Sequence, residues 1–101
     1  MVQRITPAAA RRMMEAGEGF PVDVREPSEY VTGHIPGAKL LPLSLIRIKA
    51  EQVIPDKEAP WLVYCRSGQR SAMAARQLEA MGYHNVYDLG GILAWPYQVE
   101  R

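Results

Sequence analysis

The stretch WLVYCRSGQRSAMAARQLEAMG, residues 61–82, changes its hydrophobic pattern midway. Residues 61–64 are apolar or aromatic and carry no charge, which is typical of a strand buried on both faces of a parallel sheet. From Ser71 onward the apolar residues recur at spacings of one, three and four, and Gly82 follows as a C-cap, so an amphipathic helix is predicted. The stretch therefore predicts a strand, a short loop and a helix in succession.

The predicted loop, residues 65–70, begins at Cys65, the only cysteine of the chain, and we name it the cysteine loop. The start of the following helix presents backbone N–H groups without partners and the positive end of the helix dipole, and Arg66 and Arg70 add positive charge. Comparable settings lower a thiol pKa from ~8.5 into the ~3.5–7.5 range. We therefore expect Cys65 to be a thiolate, and hence a nucleophile, at neutral pH.

A lone cysteine that ends an apolar strand is more often a small buried hydrophobic residue than a nucleophile. The position of Cys65 favours the nucleophile, because open α/β sheets bind their ligands at the carboxyl ends of the strands. The polar residues that follow Cys65 mark the point where the chain leaves the core.

The cysteine loop resembles the active-site loop of rhodanese-type sulfurtransferases, which carry a cysteine persulfide on a loop of six residues. Three further segments are similar to signatures of that family and follow its order: Asp-x-Arg at Asp23 and Arg25, Gly-His-Ile-x-Gly-Ala at residues 33–38, and Gly-Gly-x-x-x-Trp at Gly90, Gly91 and Trp95. The resemblance covers nearly the whole chain. It implies one rhodanese-like domain over residues 1–101, with a five-stranded sheet and the cysteine strand at its centre.

The pattern outside the cysteine loop predicts an α/β fold. Strands are predicted over residues 2–5, 20–25, 38–41, 61–64 and 85–89. Helices are predicted over residues 7–16, over the short turn 26–30, over residues 43–53 and 71–81, and briefly before Trp95. Strands that alternate with helices indicate right-handed crossovers, so we expect about five mostly parallel strands with helices on both faces.

Composition limits the possible partners. The chain has 101 residues, of which 48% are hydrophobic and 23% charged, and its formal net charge is +1. Neither nucleic acid nor a membrane is therefore expected as a partner. One cysteine allows no internal disulfide, and no metal-ligand spacing or cofactor motif occurs. The basic amino terminus lacks the apolar segment of a secretory signal, so a cytoplasmic location is expected.

Four polar residues outside the cysteine loop are given supporting roles or none. We interpret Asp23 and Arg25 as a structural pair at a strand end and His34 as a packing residue of its turn. His84 is assigned no role, and neither histidine is interpreted as a general base.

The family resemblance implies a sulfurtransferase. In this hypothesis the catalytic residue Cys65 takes sulfane sulfur from thiosulfate or a persulfide donor, and its persulfide passes the sulfur to cyanide or to a thiol such as thioredoxin or glutathione. The small anionic donor is expected to be bound by the residues after the cysteine: Arg66, Ser67, Gly68, Gln69, Arg70 and Ser71. Arg70, at the helix start, is alternatively expected to brace the loop through Asp23.

Two alternatives remain open at this point. A cysteine phosphatase or arsenate reductase also places Cys and Arg around an anion, but its loop has five residues between them, whereas four separate Cys65 from Arg70. Tyr64 also stands where such enzymes commonly have histidine. The second alternative is a rhodanese-like sulfur carrier or regulatory binding module, and the presence of Cys65 favours an enzyme over it.

Overall fold

The computed structural model describes residues 2–101, which contain five strands and four α-helices. The strands are β1 (Gln3–Arg4), β2 (Phe20–Asp23), β3 (Lys39–Leu40), β4 (Trp61–Cys65) and β5 (Val86–Gly91). The helices are α1 (Pro7–Glu15), α2 (Pro27–Tyr30), α3 (Ile46–Val53) and α4 (Gln69–Ala80), with 3-10 turns at Leu43–Leu45 and Ile92–Ala94. All strand pairs are parallel, in the order β1-β5-β4-β2-β3. The predicted α/β fold with the cysteine strand at its centre is confirmed.

Helices cover both faces of the sheet, and β4 shows how the faces differ. Trp61, Val63 and Cys65 point to one face, where they pack in a core with residues of α3 and α4. Leu62 and Tyr64 point to the other face, where the core includes Ala10 of α1. All five residues of β4 are buried, which explains why the sequence shows an unbroken apolar run instead of an alternating one.

Several element boundaries differ from the predicted ones. The helix predicted from residue 71 begins at Gln69, because Gly68 adopts φ +108° and serves as its N-cap. The helix predicted from residue 43 opens with a 3-10 turn and becomes α-helical at Ile46. The last strand runs to Gly91 instead of ending at residue 89, and its register against β4 shifts after Val63.

A buried polar cluster joins β2, β4 and the turn at residues 33–38. Arg25 donates to both carboxylate oxygens of Asp23 at 2.7–3.1 Å and to the carbonyl O of Gly33 at 2.8 Å. The Tyr64 hydroxyl donates to Asp23 Oδ2 at 2.8 Å and accepts from the Ile35 amide at 3.0 Å. These contacts agree with the interpretation of Asp23 and Arg25 as a structural pair.

His34 is a packing residue, as its sequence context predicts, but its ring packs on α2 and not within its own turn. Its ring stacks on the Tyr30 ring with centroids 3.7 Å apart, and its Nδ1 lies 3.0 Å from the Tyr30 carbonyl O. His84 lies on the surface beside Glu58. Across residues 2–101, no helix has the length and apolar character needed to cross a membrane.

Candidate active site

The Cys65 sulfur lies at the floor of the cysteine loop. Cys65 is the last residue of β4 and is only 1% exposed, since its side chain faces the core that α4 covers. The thiol is therefore more deeply placed than its polar sequence context indicates. It is nevertheless not an ordinary buried thiol, because polar groups of the loop contact the sulfur.

Backbone amides of the cysteine loop and of α4 point at that sulfur. Sγ of Cys65 accepts hydrogen bonds from the amide of Gly68 at 3.0 Å and from the amide of Ser71 at 3.3 Å. The left-handed conformation of Gly68 turns the chain so that these donors face inward. In the described part of the chain, the amides of Gln69 and Arg70, which open α4, have no backbone acceptor. The loop thus provides a set of N–H donors suited to an anionic sulfur.

These donors change the acidity of the thiol. Burial raises the pKa of Cys65, but the amides of Ser71 and Gly68, the Ser71 hydroxyl and the Ser67 amide outweigh burial, so the pKa lies below its ordinary value. Hydrogen bonds are thus the largest causes that favour the thiolate.

We expect Cys65 to react with iodoacetamide at lower pH than free cysteine does, because its thiolate forms at lower pH. The rate of alkylation, followed by intact mass across a pH series, gives the titration midpoint. The same series in denaturant serves as the control and should return the midpoint to the value of an ordinary thiol. A native midpoint at or above that value would contradict the expectation.

Arg66, Ser67 and Gln69 form the exposed rim of the cysteine loop. The Arg66 side chain has no hydrogen bond or ion pair with any other residue between 2 and 101. Its backbone carbonyl accepts from the Leu93 amide at 3.2 Å, which holds the start of the loop against the chain after β5. The rim thus presents one cation to the solvent.

Arg70 is held by Glu29 of α2, and the prediction of a brace through Asp23 is wrong. Nη1 and Nη2 of Arg70 lie 2.7 and 2.9 Å from the two carboxylate oxygens of Glu29. Asp23 is unsuited to the role because it is already bound to Arg25 and Tyr64. Glu29 is not among the site residues predicted from the sequence. It follows β2, which ends at the same end of the sheet as Cys65, and that position could have indicated it.

The Glu29–Arg70 pair should make stability depend on pH in acid. The hydrogen bond from Arg70 lowers the pKa of Glu29 from 4.5 to about 2, so the pair stabilises the folded state above pH 4.5 and loses that contribution as the pH falls towards 2. We expect Glu29→Gln to cost roughly 1–2 kcal/mol near pH 7 and progressively less below pH 4.5, as measured by urea unfolding.

Glu18→Gln is the matched control for this measurement. Glu18 is exposed, precedes β2 at the opposite edge of the sheet, and has no ion-pair partner in residues 2–101. Its substitution should change stability little at either pH. A cost of Glu29→Gln that stayed constant from pH 7 down to pH 2.5 would contradict the assignment of the pair.

Ser71 connects the cysteine loop to β5 through Asp88. The Ser71 hydroxyl lies 2.8 Å from Asp88 Oδ1 and 3.0 Å from the Gly68 carbonyl O. The same Asp88 oxygen accepts from the Gly90 amide at 2.9 Å. Asp88 is not among the predicted site residues. Its carboxylate inside an otherwise apolar strand could have indicated a role. Its contacts fix the first turn of α4 to the end of β5.

The backbone of β5 packs tightly on the cysteine loop at Gly91. A Cβ atom on Gly91 would lie 2.5 Å from the Arg66 carbonyl O and 2.6 Å from the Ser67 Cα, closer than real side chains approach backbone. Glycine is therefore required where the strand meets the loop. The sequence resemblance included this glycine, but its contact with the loop was not foreseen.

The site contains no arrangement suited to a metal ion. No group of three or more His, Cys, Asp or Glu side chains that could hold one occurs within residues 2–101. The residues predicted to bind the donor divide into three kinds: amides that face the sulfur, exposed side chains at the rim, and Arg70, which is paired.

Known proteins have sequences similar to that of this chain. The family model described as a rhodanese-like domain matches residues 6–97. A protein of Allochromatium vinosum named as a sulfurtransferase is 39% identical over 87 residues, which cover 85% of this chain and 79% of that protein. A thiosulfate sulfurtransferase of Escherichia coli is 37% identical over 71 residues, which cover 70% of this chain and 68% of that protein.

Solved structures with the same fold include two at 31% identity. A rhodanese-related protein from Thermoplasma volcanium has a TM-score of 0.85 and 31% identity over 97% of both chains. A structure described as rhodanese with anions, from Escherichia coli, has a TM-score of 0.77 and 31% identity, and the match covers 82% of this chain and 98% of that one.

Proposed function

Because the chain belongs to the rhodanese-like domain family, we propose that it is a sulfurtransferase in which Cys65 carries the transferred sulfur. The observation that carries the proposal is the set of amides around Sγ of Cys65, with those of Gly68 and Ser71 already bonded to it. Such donors stabilise a thiolate before the reaction and the terminal sulfur of a persulfide after it. We propose that residues 1–101 form one such domain.

The first half-reaction loads the cysteine. The Cys65 thiolate attacks the outer sulfur of the donor, a sulfur–sulfur bond forms to Cys65, and the donor's own bond to that sulfur breaks. The electron pair of that bond leaves on sulfite when the donor is thiosulfate, or on a thiolate when it is a persulfide. Arg66 and the amides after it bind the donor anion.

The second half-reaction unloads the cysteine. An acceptor nucleophile, either cyanide or a thiolate such as that of glutathione or thioredoxin, attacks the terminal sulfur, and the Cys65 thiolate leaves with its electron pair. No cofactor takes part in either step. A reducing cytoplasm fits this cycle, because a single reactive thiol is kept from oxidation there.

The alternative of a cysteine phosphatase has less support. Such an enzyme needs an arginine free to hold the phosphoryl oxygens, whereas both terminal nitrogens of Arg70 are bound to Glu29. It also needs an acid for the leaving group. The carboxylate joined to the cysteine loop through Ser71 is that of Asp88, which is buried and already accepts two hydrogen bonds.

Intact mass after incubation with thiosulfate or a small persulfide tests the proposal. We expect a gain of one sulfur atom on the protein, removed by a reducing thiol and blocked by prior alkylation of Cys65. An unchanged protein mass after incubation with either donor would overturn the proposal. It would favour the binding module, which has the same fold but does not transfer sulfur.

A further inference from the structure

We infer that Glu29 determines donor specificity by neutralising one of the two arginines of the cysteine loop, so that the site favours persulfide donors of low charge over the thiosulfate dianion. The inference rests on the proposed sulfur transfer and concerns the donor alone. It begins from the ion pair between Glu29 and Arg70, whose oxygen and nitrogen atoms meet at 2.7 and 2.9 Å.

The geometry of the pair leaves little of Arg70 for a donor. Both terminal nitrogens face the two oxygens of one carboxylate, which is the arrangement by which a guanidinium would otherwise hold a sulfonate. Glu29 is itself fixed, because its Oε1 accepts from the Glu26 amide at 3.0 Å. A donor would have to displace the Glu29 carboxylate to bind the two terminal nitrogens of Arg70.

The remaining charges near the sulfur do not replace Arg70. Arg66 is the unpaired cation of the loop, while Asp88 places a carboxylate 2.8 Å from the Ser71 hydroxyl. Arg25, which follows β2 at the same end of the sheet, is bound to Asp23 and Gly33. Arg4, at the end of β1, is exposed and lies beside Asp88 in the strand register. Within the cysteine loop, Arg66 is thus the one arginine without an ion-pair partner among residues 2–101.

Thiosulfate and hydropersulfide donors differ in the negative charge that they bring to the site of the Cys65 thiolate. Attack on thiosulfate brings together one thiolate charge and two donor charges, and sulfite leaves as a dianion. Attack on a hydropersulfide adds at most one charge, and a simple thiolate leaves. Like charges within a few ångströms repel strongly at a partly buried site, so neutralising Arg70 discriminates against thiosulfate.

The test measures the rate at which Cys65 gains sulfur from thiosulfate and from 2-hydroxyethyl hydropersulfide, by intact mass in single-turnover reactions. Each rate is divided by that of free cysteine with the same donor, which removes the difference in intrinsic reactivity. We expect the protein to accelerate the hydropersulfide reaction more than the thiosulfate reaction. Greater acceleration of thiosulfate by the unmodified protein would overturn the inference.

Glu29→Gln keeps the shape of the side chain and removes its charge. We expect this variant to shift the ratio of the two accelerations towards thiosulfate by roughly tenfold. The shift should shrink in ~1 M salt, which screens charge and would not affect a structural role. Glu18→Gln, the same change at the opposite sheet edge, should leave the ratio unchanged.

Two other outcomes separate a failure of this inference from a failure of the proposed function. An equal fall for both donors in Glu29→Gln would mean that Glu29 only braces the loop, and the inference would be wrong while sulfur transfer stands. Absence of sulfur gain from both donors in the unmodified protein would instead overturn the proposed function itself.

Discussion

Replacing Cys65 with alanine is expected to abolish sulfur loading and leave the domain folded. The chain has no other cysteine, so no second thiol can accept the sulfur. The substitution removes one buried atom that contacts the core, for which a loss of about 1 kcal/mol is expected. Loading is measured by intact mass after exposure to either donor, and folding by circular dichroism and thermal unfolding.

Cys65→Ser is the companion variant. It keeps a hydrogen-bond acceptor at the floor of the loop but replaces the thiol with a group that stays protonated at neutral pH. Both variants should fail to gain sulfur. If Cys65→Ala still gained a sulfur atom that a reducing thiol removes, the assignment of Cys65 as the nucleophile would be wrong.

Replacing Gly91 with alanine is expected to slow sulfur loading on the order of 100-fold, because the added Cβ must displace the cysteine loop and a shift of about 1 Å has that effect on a positioned nucleophile. The new atom would lie 2.5 Å from the Arg66 carbonyl O. A stability loss of about 1–3 kcal/mol should accompany the change, since backbone has to move. Single-turnover loading and urea unfolding measure the two effects.

Gly19→Ala separates lost stability from lost function. A Cβ there would lie 2.9 Å from Met13 Cβ and 3.0 Å from Leu62 Cδ1, so it also overpacks the protein, but next to the first residue of β2 at the far edge of the sheet. We expect similar destabilisation with unchanged loading. Equal loading rates in the two variants would show that Gly91 does not position the cysteine loop.

The fold was predictable because its signals are local. The charge-free run at residues 61–64 and the glycines on either side of α4 mark a buried strand and the helix after it without reference to other parts of the chain. The central place of that strand came from the family resemblance alone. The predicted ends of helices and strands were less accurate where backbone conformation or strand register sets them. The start of α4 depends on the positive φ of Gly68, and the end of β5 depends on its altered register against β4.

The candidate site was predictable only in part because half of it is not in the loop. Cys65 and its amides follow from one continuous stretch, but Glu29 and Asp88 reach the loop from α2 and β5. A sequence shows that a carboxylate follows a strand, but not which arginine it will bind. In the alternative to donor binding, Arg70 was accordingly given the wrong partner, Asp23, whose carboxylate is bound to the Arg25 guanidinium.

The strand order has a consequence for the growing chain during synthesis. The central strand β4 lies between β2, made before it, and β5, made after it, and the earliest strand, β1, also pairs with β5. Asp88 and Gly91, which hold the cysteine loop, belong to that late strand. A nascent chain that has exposed Cys65 but not yet β5 is therefore expected to lack the contacts that fix the cysteine loop. If the proposed function holds, such an incomplete chain is expected to gain sulfur poorly.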